Sequence, residues 1–232
     1  MYLLTETASP FALERWAAFF ANFGQFAKGF FYTLGISIGA LIVALLLGLI
    51  FGAMSSTHNK VLRGISRVYV EIFQNTPLLV QFVVVFYGIS ILTDGHVMIP
   101  ISLTAILCVG VYTGAYISEI IRTGIEAVPK GQTEAALSQG FPYADTMRII
   151  ILPQAVRTIL PPLTNQVVNL IKNTSTVAII SGADIMFTAK AWAYDTTNYV
   201  PAFAGAAFLY FIMCFPLATW ARRKEEENKK AY

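Results

Sequence analysis

Two polar series in an otherwise apolar chain are the residues best suited to chemistry. Asn165, Asn169, Lys172 and Asn173 recur at i, i+4, i+7 and i+8, with Gln166 beside them. In a helix that spacing lays amides and one ammonium along a single face, a surface that can hydrogen-bond a polar solute. The second series, Tyr112, Tyr116 and Glu119 at i, i+4 and i+7, ends in a carboxylate. Arg122 and Arg157 are guanidinium groups within reach of it. Neither series pairs a nucleophile with a base. The chain also lacks a G-x-x-x-x-G-K-[ST] phosphate loop and an H-E-x-x-H zinc motif, so it neither hydrolyses ATP nor binds zinc by itself. Cys108 and Cys214 sit inside apolar runs and read as buried thiols, not as a disulfide or metal pair.

The elements that position these residues must be apolar. Hydrophobic types make up 56% of the 232 residues, charged types only 12%, and mean hydropathy is +0.62. A typical globular domain carries ~25% charged residues, so soluble and disordered classes are excluded and an all-α, polytopic membrane protein is expected. Low-charge runs at 30–54, 72–92, 101–118, 149–171 and 200–221 give five transmembrane helices, each of the length a ~30 Å hydrocarbon core needs. Pro161-Pro162 should kink the fourth. Residues 1–25, with Phe11, Trp16, Phe19, Phe20 and Phe23 around Glu14 and Arg15, read as an interfacial helix and not a cleaved leader. Residues 26–221 form the membrane domain and 222–232 a solvated tail.

Orientation follows the bases. Lys60, Arg63 and Arg67 lie in the polar stretch 55–67, which reads as a loop, and Arg122, Lys130 and Arg148 in the central stretch. Five more bases follow Ala221, whereas Arg15 and Lys190 stand alone in the segments of opposite side. The positive-inside rule then places the N-terminus outside and the C-terminus in the cytoplasm of a cell-membrane protein. His58 and His96 fall on opposite sides, and Lys28 and Lys172 can snorkel from helix ends.

The central stretch carries the most specific text. Glu134-Ala135-Ala136 opens a short helix, Gly140 can end it in a left-handed conformation, and Pro142 suits the start of a second helix sharing Tyr143, Met147 and Ile150 on one face. With Ile150, Leu152 and Pro153 this resembles the EAA loop of ABC importer permeases. Asn75-Thr76-Pro77, Tyr116 to Ile125 with Glu119, Arg122 and Gly124, Gly131-Gln132 and Leu152-Pro153-Gln154-Ala155 are similar to the polar amino-acid branch. The resemblance covers nearly the whole chain from about Trp16. It implies the type I ABC importer permease fold, with residues of about 123–150 as a coupling loop seated in a separate ATP-binding subunit. That partner would hold ATP and Mg, leaving this chain without a cofactor. The resemblance also implies a second permease chain, identical or homologous, an extracytoplasmic substrate-binding protein and an amino-acid substrate in a lipid bilayer. Nothing calls for nucleic acid.

Two readings stay open for each polar series. The Asn165–Asn173 stripe either hydrogen-bonds between helices or lines a substrate path. Tyr112 and Tyr116 either pack or line the same path, with Glu119 pairing Arg122 or Arg157 as an inner gate. The fourth helix has no acid, and Asn173 stands where family members often carry Asp. That departure favours glutamine, glutamate or aspartate over a basic amino acid, with Lys172 or Lys190 meeting an anionic side chain. The rival is an ion-coupled secondary carrier, which needs an intramembrane acid relay that helices one, two and five do not supply. A membrane assembly factor would leave the EAA segment without a purpose.

Overall fold

The uncharged run at 30–54 extends both ways into one helix, α2 (Phe23–Ser55), after a short α1 (Leu13–Ala21). Its 33 residues measure about 50 Å, more than a ~30 Å hydrocarbon core, so α2 tilts or protrudes. The structure is a computed structural model and describes residues 9–230; residues 1–8 of the expected N-terminal segment lie outside the described residues. Small residues bring α2 against α5 (Ile101–Glu126). Gly39, Gly48 and Gly52 face Ile106, Ile117 and Ile121 in turn, while Gly110 and Gly114 face Val43 and Leu47. That matching order makes the two helices parallel, and their backbones approach where a side chain would not fit.

Because α2 and α5 run the same way, the chain between them must cross back. It does so as α3 (Lys60–Gln74) and α4 (Leu78–Leu92), bent by 97°. The polar stretch 55–67, expected as a loop, is therefore mostly helix, and only residues 56–59 connect. Asn59 caps α3 by accepting from Val61 N (2.9 Å) and Leu62 N (3.3 Å). Helical spacing sorts the side chains of this stretch into three faces. Ser66, Tyr69 and Phe73 form a packing face, with Ser66 Oγ donating to Phe51 O (2.7 Å) and Tyr69 OH to Val111 O (2.7 Å). Lys60, Arg63, Arg67 and Glu71 occupy a second face, and Val61, Ile65, Val68 and Ile72 an exposed third. The bend falls at Asn75-Thr76-Pro77, where Pro77 lacks a donor and disfavours helix before it.

Beyond α5, a helix α6 (Lys130–Ser138) leads through Tyr143–Asp145 and a π-helical turn, Thr146–Ile151, into α7 (Leu152–Asn173). α7 returns antiparallel to α5: Ile159 packs on Gly124, and Asn169 comes opposite Tyr112 and Tyr116. It is continuous through Pro161 and Pro162, and the π turn lies ahead of it. A 3-10 segment, Thr174–Ile180, then leads to α8 (Ile185–Thr196) and α9 (Tyr199–Lys230). α9 runs on past residue 221, so the tail is helix as far as Lys230, with residues 222–224 and 226 exposed.

By length and composition α2, α5 and Tyr199–Lys224 can each cross a membrane, and α3 with α4 adds a broken fourth span. The expected fifth, α7, is long enough at 22 residues, but the polar stripe lowers its hydropathy. The path of the chain brings residues 56–59, residues 127–142 and the end of α9 to one end of the bundle. The basic stretches thus share a side, here called the basic end. At the other end Phe19 of α1 fits over Gly205 and packs edge-on to Phe26 (4.8 Å) and Trp192 (6.0 Å). Arg15 donates to Thr197 O (2.8 Å) and Asn198 Oδ1 (3.2 Å), tying α1 to the α8–α9 corner.

Candidate functional site

Tyr112, Tyr116, Gln166, Asn169, Lys172 and Asn173 line one cavity of about 390 Å³, midway along α5 and at the C-terminal end of α7. Antiparallel packing produces it, because the polar stripe of α7 and the tyrosine stripe of α5 turn to the same side. The two tyrosine hydroxyls lie 3.1 Å apart. Lys172 is the one charged lining residue, so the cavity presents amides, hydroxyls and a single cation. Asn165 is one turn further along the same stripe and exposed.

Following the α5 stripe towards the basic end leads to a second, wider cavity of about 820 Å³. There α5 supplies Glu119, Arg122 and Glu126, and α3 supplies Arg63, Arg67 and Glu71. Arg122 pairs with Glu119 through two nitrogens and with Glu126 at 2.5 Å. These are half-exposed pairs within one helix, worth roughly 0.3–0.5 kcal/mol each, so they do little for stability. Their effect is to hold both signs of charge at the mouth below Tyr116. Arg122, not Arg157, is the partner that Glu119 takes; Arg157 lies exposed on α7, about four turns before Lys172. The α3 side of this cavity was missed in the sequence because a charge-rich stretch was read as loop. The three-face periodicity of 60–74 would have revealed it.

The Glu134-Ala135-Ala136 segment lies inside α6, which begins four residues before Glu134. α6 ends as expected: Gly140 adopts φ +87°, Gly140 N donates to Leu137 O (3.0 Å) and Phe141 N to Ala136 O (3.1 Å). Those two bonds form a Schellman motif, in which a left-handed residue lets the last carbonyls find donors. Leu137 and Phe141 stay exposed beside it. His58 packs edge-on against Tyr143 at 5.3 Å, joining the 56–59 connection to this segment. Ile150 lies in the π turn, and Leu152 and Pro153 open α7. No group of three or more His, Cys, Asp or Glu able to hold a metal occurs among the described residues.

The comparisons with known proteins agree with this arrangement. The sequence profile described as "binding-protein-dependent transport system inner membrane component" matches residues 44–225. The chain belongs to this family. It is thus a membrane-embedded transporter component. It is 36% identical over 216 residues to the probable glutamine ABC transporter permease protein GlnM of Bacillus subtilis (strain 168), across 92% of this chain and 97% of that one. Identity to the glutamate/aspartate import permease protein GltJ of Escherichia coli (strain K12) is 33% over 208 residues, 82% and 85% of the two chains. A chain in the crystal structure of an amino acid ABC transporter with histidines superposes with a TM-score of 0.84 at 30% identity, covering 91% of this permease and 98% of that chain. The MetNI methionine ABC transporter in an inward-facing conformation matches with a TM-score of 0.67 at 17% identity, which bears on fold alone. The permease accordingly has the type I ABC importer fold.

Proposed function

We propose that this permease forms the substrate path of an ATP-driven importer of a polar amino acid with an amide or acidic side chain. The observation that carries the reading is the cavity between α5 and α7, lined by amides and tyrosine hydroxyls with Lys172 as its single charge. A cationic side chain would meet like charge there and no carboxylate, whereas an amide or carboxylate would find donors. The relatives named for glutamine and for glutamate/aspartate are consistent with this.

The energy enters at the basic end. The exposed α6 turn is the surface that would seat in a separate ATP-binding subunit, which holds ATP and Mg. A second permease copy, identical or homologous, closes the open side of the path, and a binding protein delivers the amino acid from outside. The basic end faces the cytoplasm in this reading. ATP-driven closure of the ATPase pair binds one permease conformation better than the other and so shifts the population between inward-open and outward-open states. Glu119, Arg122 and Arg157 belong to the inner mouth that opens and closes.

The test is a screen of amino acids for stimulation of ATP hydrolysis by the assembled complex with its binding protein. Glutamine, glutamate or aspartate should stimulate. Stimulation by arginine or lysine alone would overturn the substrate assignment, and uptake that persists without the ATPase would favour an ion-coupled carrier.

A further inference from the structure

The joint between the coupling segment and the substrate-lining helix is not α-helical. Over Thr146–Ile151 the backbone makes a π turn, closed by Leu152 N donating to Met147 O, five residues back. A π turn holds one residue more than an α turn and recurs at functional positions. Pro153 gives it a local cause. In an α-helix its ring would meet the carbonyl of Ile149 and its missing N–H would leave that carbonyl unmatched. The widened turn moves the carbonyl away. Beside it Gln154 Nε2 donates to the next carbonyl, Ile150 O (2.8 Å), and to Gln132 Oε1 on α6 (3.5 Å). One side chain therefore touches both the coupling helix and the joint.

Two anchors lie on either side of this turn. Upstream, the Schellman turn at Gly140 and the His58–Tyr143 contact set the coupling segment. Downstream, Ile159 over Gly124 and the buried Ala155 set α7 against α5. The number of residues between the anchors decides which face of α7 meets Tyr112 and Tyr116. Each residue in an α-helix turns the chain by about 100° and advances it about 1.5 Å. With one residue fewer, Val167 and Leu170 would stand where Gln166 and Asn169 now do, and the cavity would lose its amides.

We propose that the π turn Thr146–Ile151 is a register spacer, whose extra residue lets the seated coupling segment and the polar stripe of α7 be correct together. Gln154 is its positioning residue. The inference rests on the permease reading above and adds to it how the coupling segment addresses the cavity.

The test uses the assembled complex with its ATPase and binding protein in lipid vesicles. Ile149, exposed in the turn, is deleted; a second variant adds one Ala between Tyr143 and Ala144 to restore the count; a third is Pro153→Ala. Basal ATP hydrolysis reports assembly, and substrate-stimulated hydrolysis reports coupling. Labelling of Asn169→Cys against Leu170→Cys by a water-soluble maleimide reports register, since Asn169 is exposed and Leu170 buried. The deletion should cut stimulation by roughly tenfold or more and move labelling from position 169 to 170, and the compensated variant should recover to within about twofold of the parent. Pro153→Ala, which permits an α turn that no longer absorbs the extra residue, should turn α7 the opposite way, so that labelling at position 169 falls without rising at 170. Unchanged stimulation or unchanged labelling in the deletion overturns the spacer role. Where the deletion does not assemble, recovery in the compensated variant supports the proposal and failure to recover overturns it. If the parent complex shows no substrate-stimulated hydrolysis, it is the permease reading that fails.

Discussion

Replacing Gly140 by Ala tests the coupling turn with the smallest available perturbation. The residue sits at φ +87°, and a Cβ built there meets nothing within 4 Å. Crowding is thus removed as an explanation, and the cost is purely conformational. Placing a non-glycine residue in the left-handed region costs roughly 1–2 kcal/mol. A cost of that size lowers the population of the Schellman turn relative to alternatives by about 5–30-fold. Gly131 is the internal control. It lies in the first turn of α6, also faces open space, and shows no positive φ, so Gly131→Ala should be neutral or slightly stabilising. The assay is ATP hydrolysis by the reconstituted complex with and without substrate-loaded binding protein. Gly140→Ala should lose most of the stimulation, Gly140→Asn should keep much of it because Asn tolerates the left-handed region, and Gly131→Ala should match the parent. Equal behaviour of the two alanine variants would refute the argument from backbone geometry.

Asn169→Leu should depress substrate-stimulated hydrolysis while leaving assembly intact, and a normal apparent substrate affinity would assign the stripe to helix packing instead. Asp184, fully buried, caps α8 through Met186 N (3.0 Å) and Phe187 N (3.3 Å) and accepts from Tyr210 OH (3.3 Å). Asp184→Ala removes a cap worth about 0.5–2 kcal/mol and one hydrogen bond of Tyr210 OH, worth about 0.5–1.5 kcal/mol. Its thermal midpoint in detergent should fall clearly below that of Asp184→Asn, which retains a capping oxygen; equal midpoints would show that the side-chain oxygen is not the tie. Gly124→Leu drives a side chain into Ile159. Overpacking of this kind costs roughly 1–3 kcal/mol, so the variant should unfold earlier and yield less assembled complex, and a parent-like yield and midpoint would contradict the tight α5–α7 contact.

Much of the fold was legible because the solvent for this chain is hydrocarbon. Long uncharged runs at 30–54, 101–118 and 200–221 have few alternatives to helix there, and all three lie within helices. The Gly140 turn was equally legible, since left-handed backbone after a short helix is written in one residue type. The stretch 55–67 was not. Its charges were counted along the chain, while in α3 they occupy one face and Tyr69 on another face reaches α5. Nor was the π turn ahead of Pro153, which no single residue type announces, although Gln154 beside it donates to Ile150 O.

By itself the sequence determined that the protein is helical and membrane-spanning, where its bases gather and that a turn falls at Gly140, because these depend on composition and on local backbone preference. Only the tertiary structure decided that the tyrosines of α5 and the amides of α7 share one cavity, that Arg122 is Glu119's partner, and that the mouth below is half built by α3. Those facts depend on the rotation of each helix about its axis, and rotation is set by small residues such as Gly48, Gly114 and Gly124 meeting particular side chains far away in the chain.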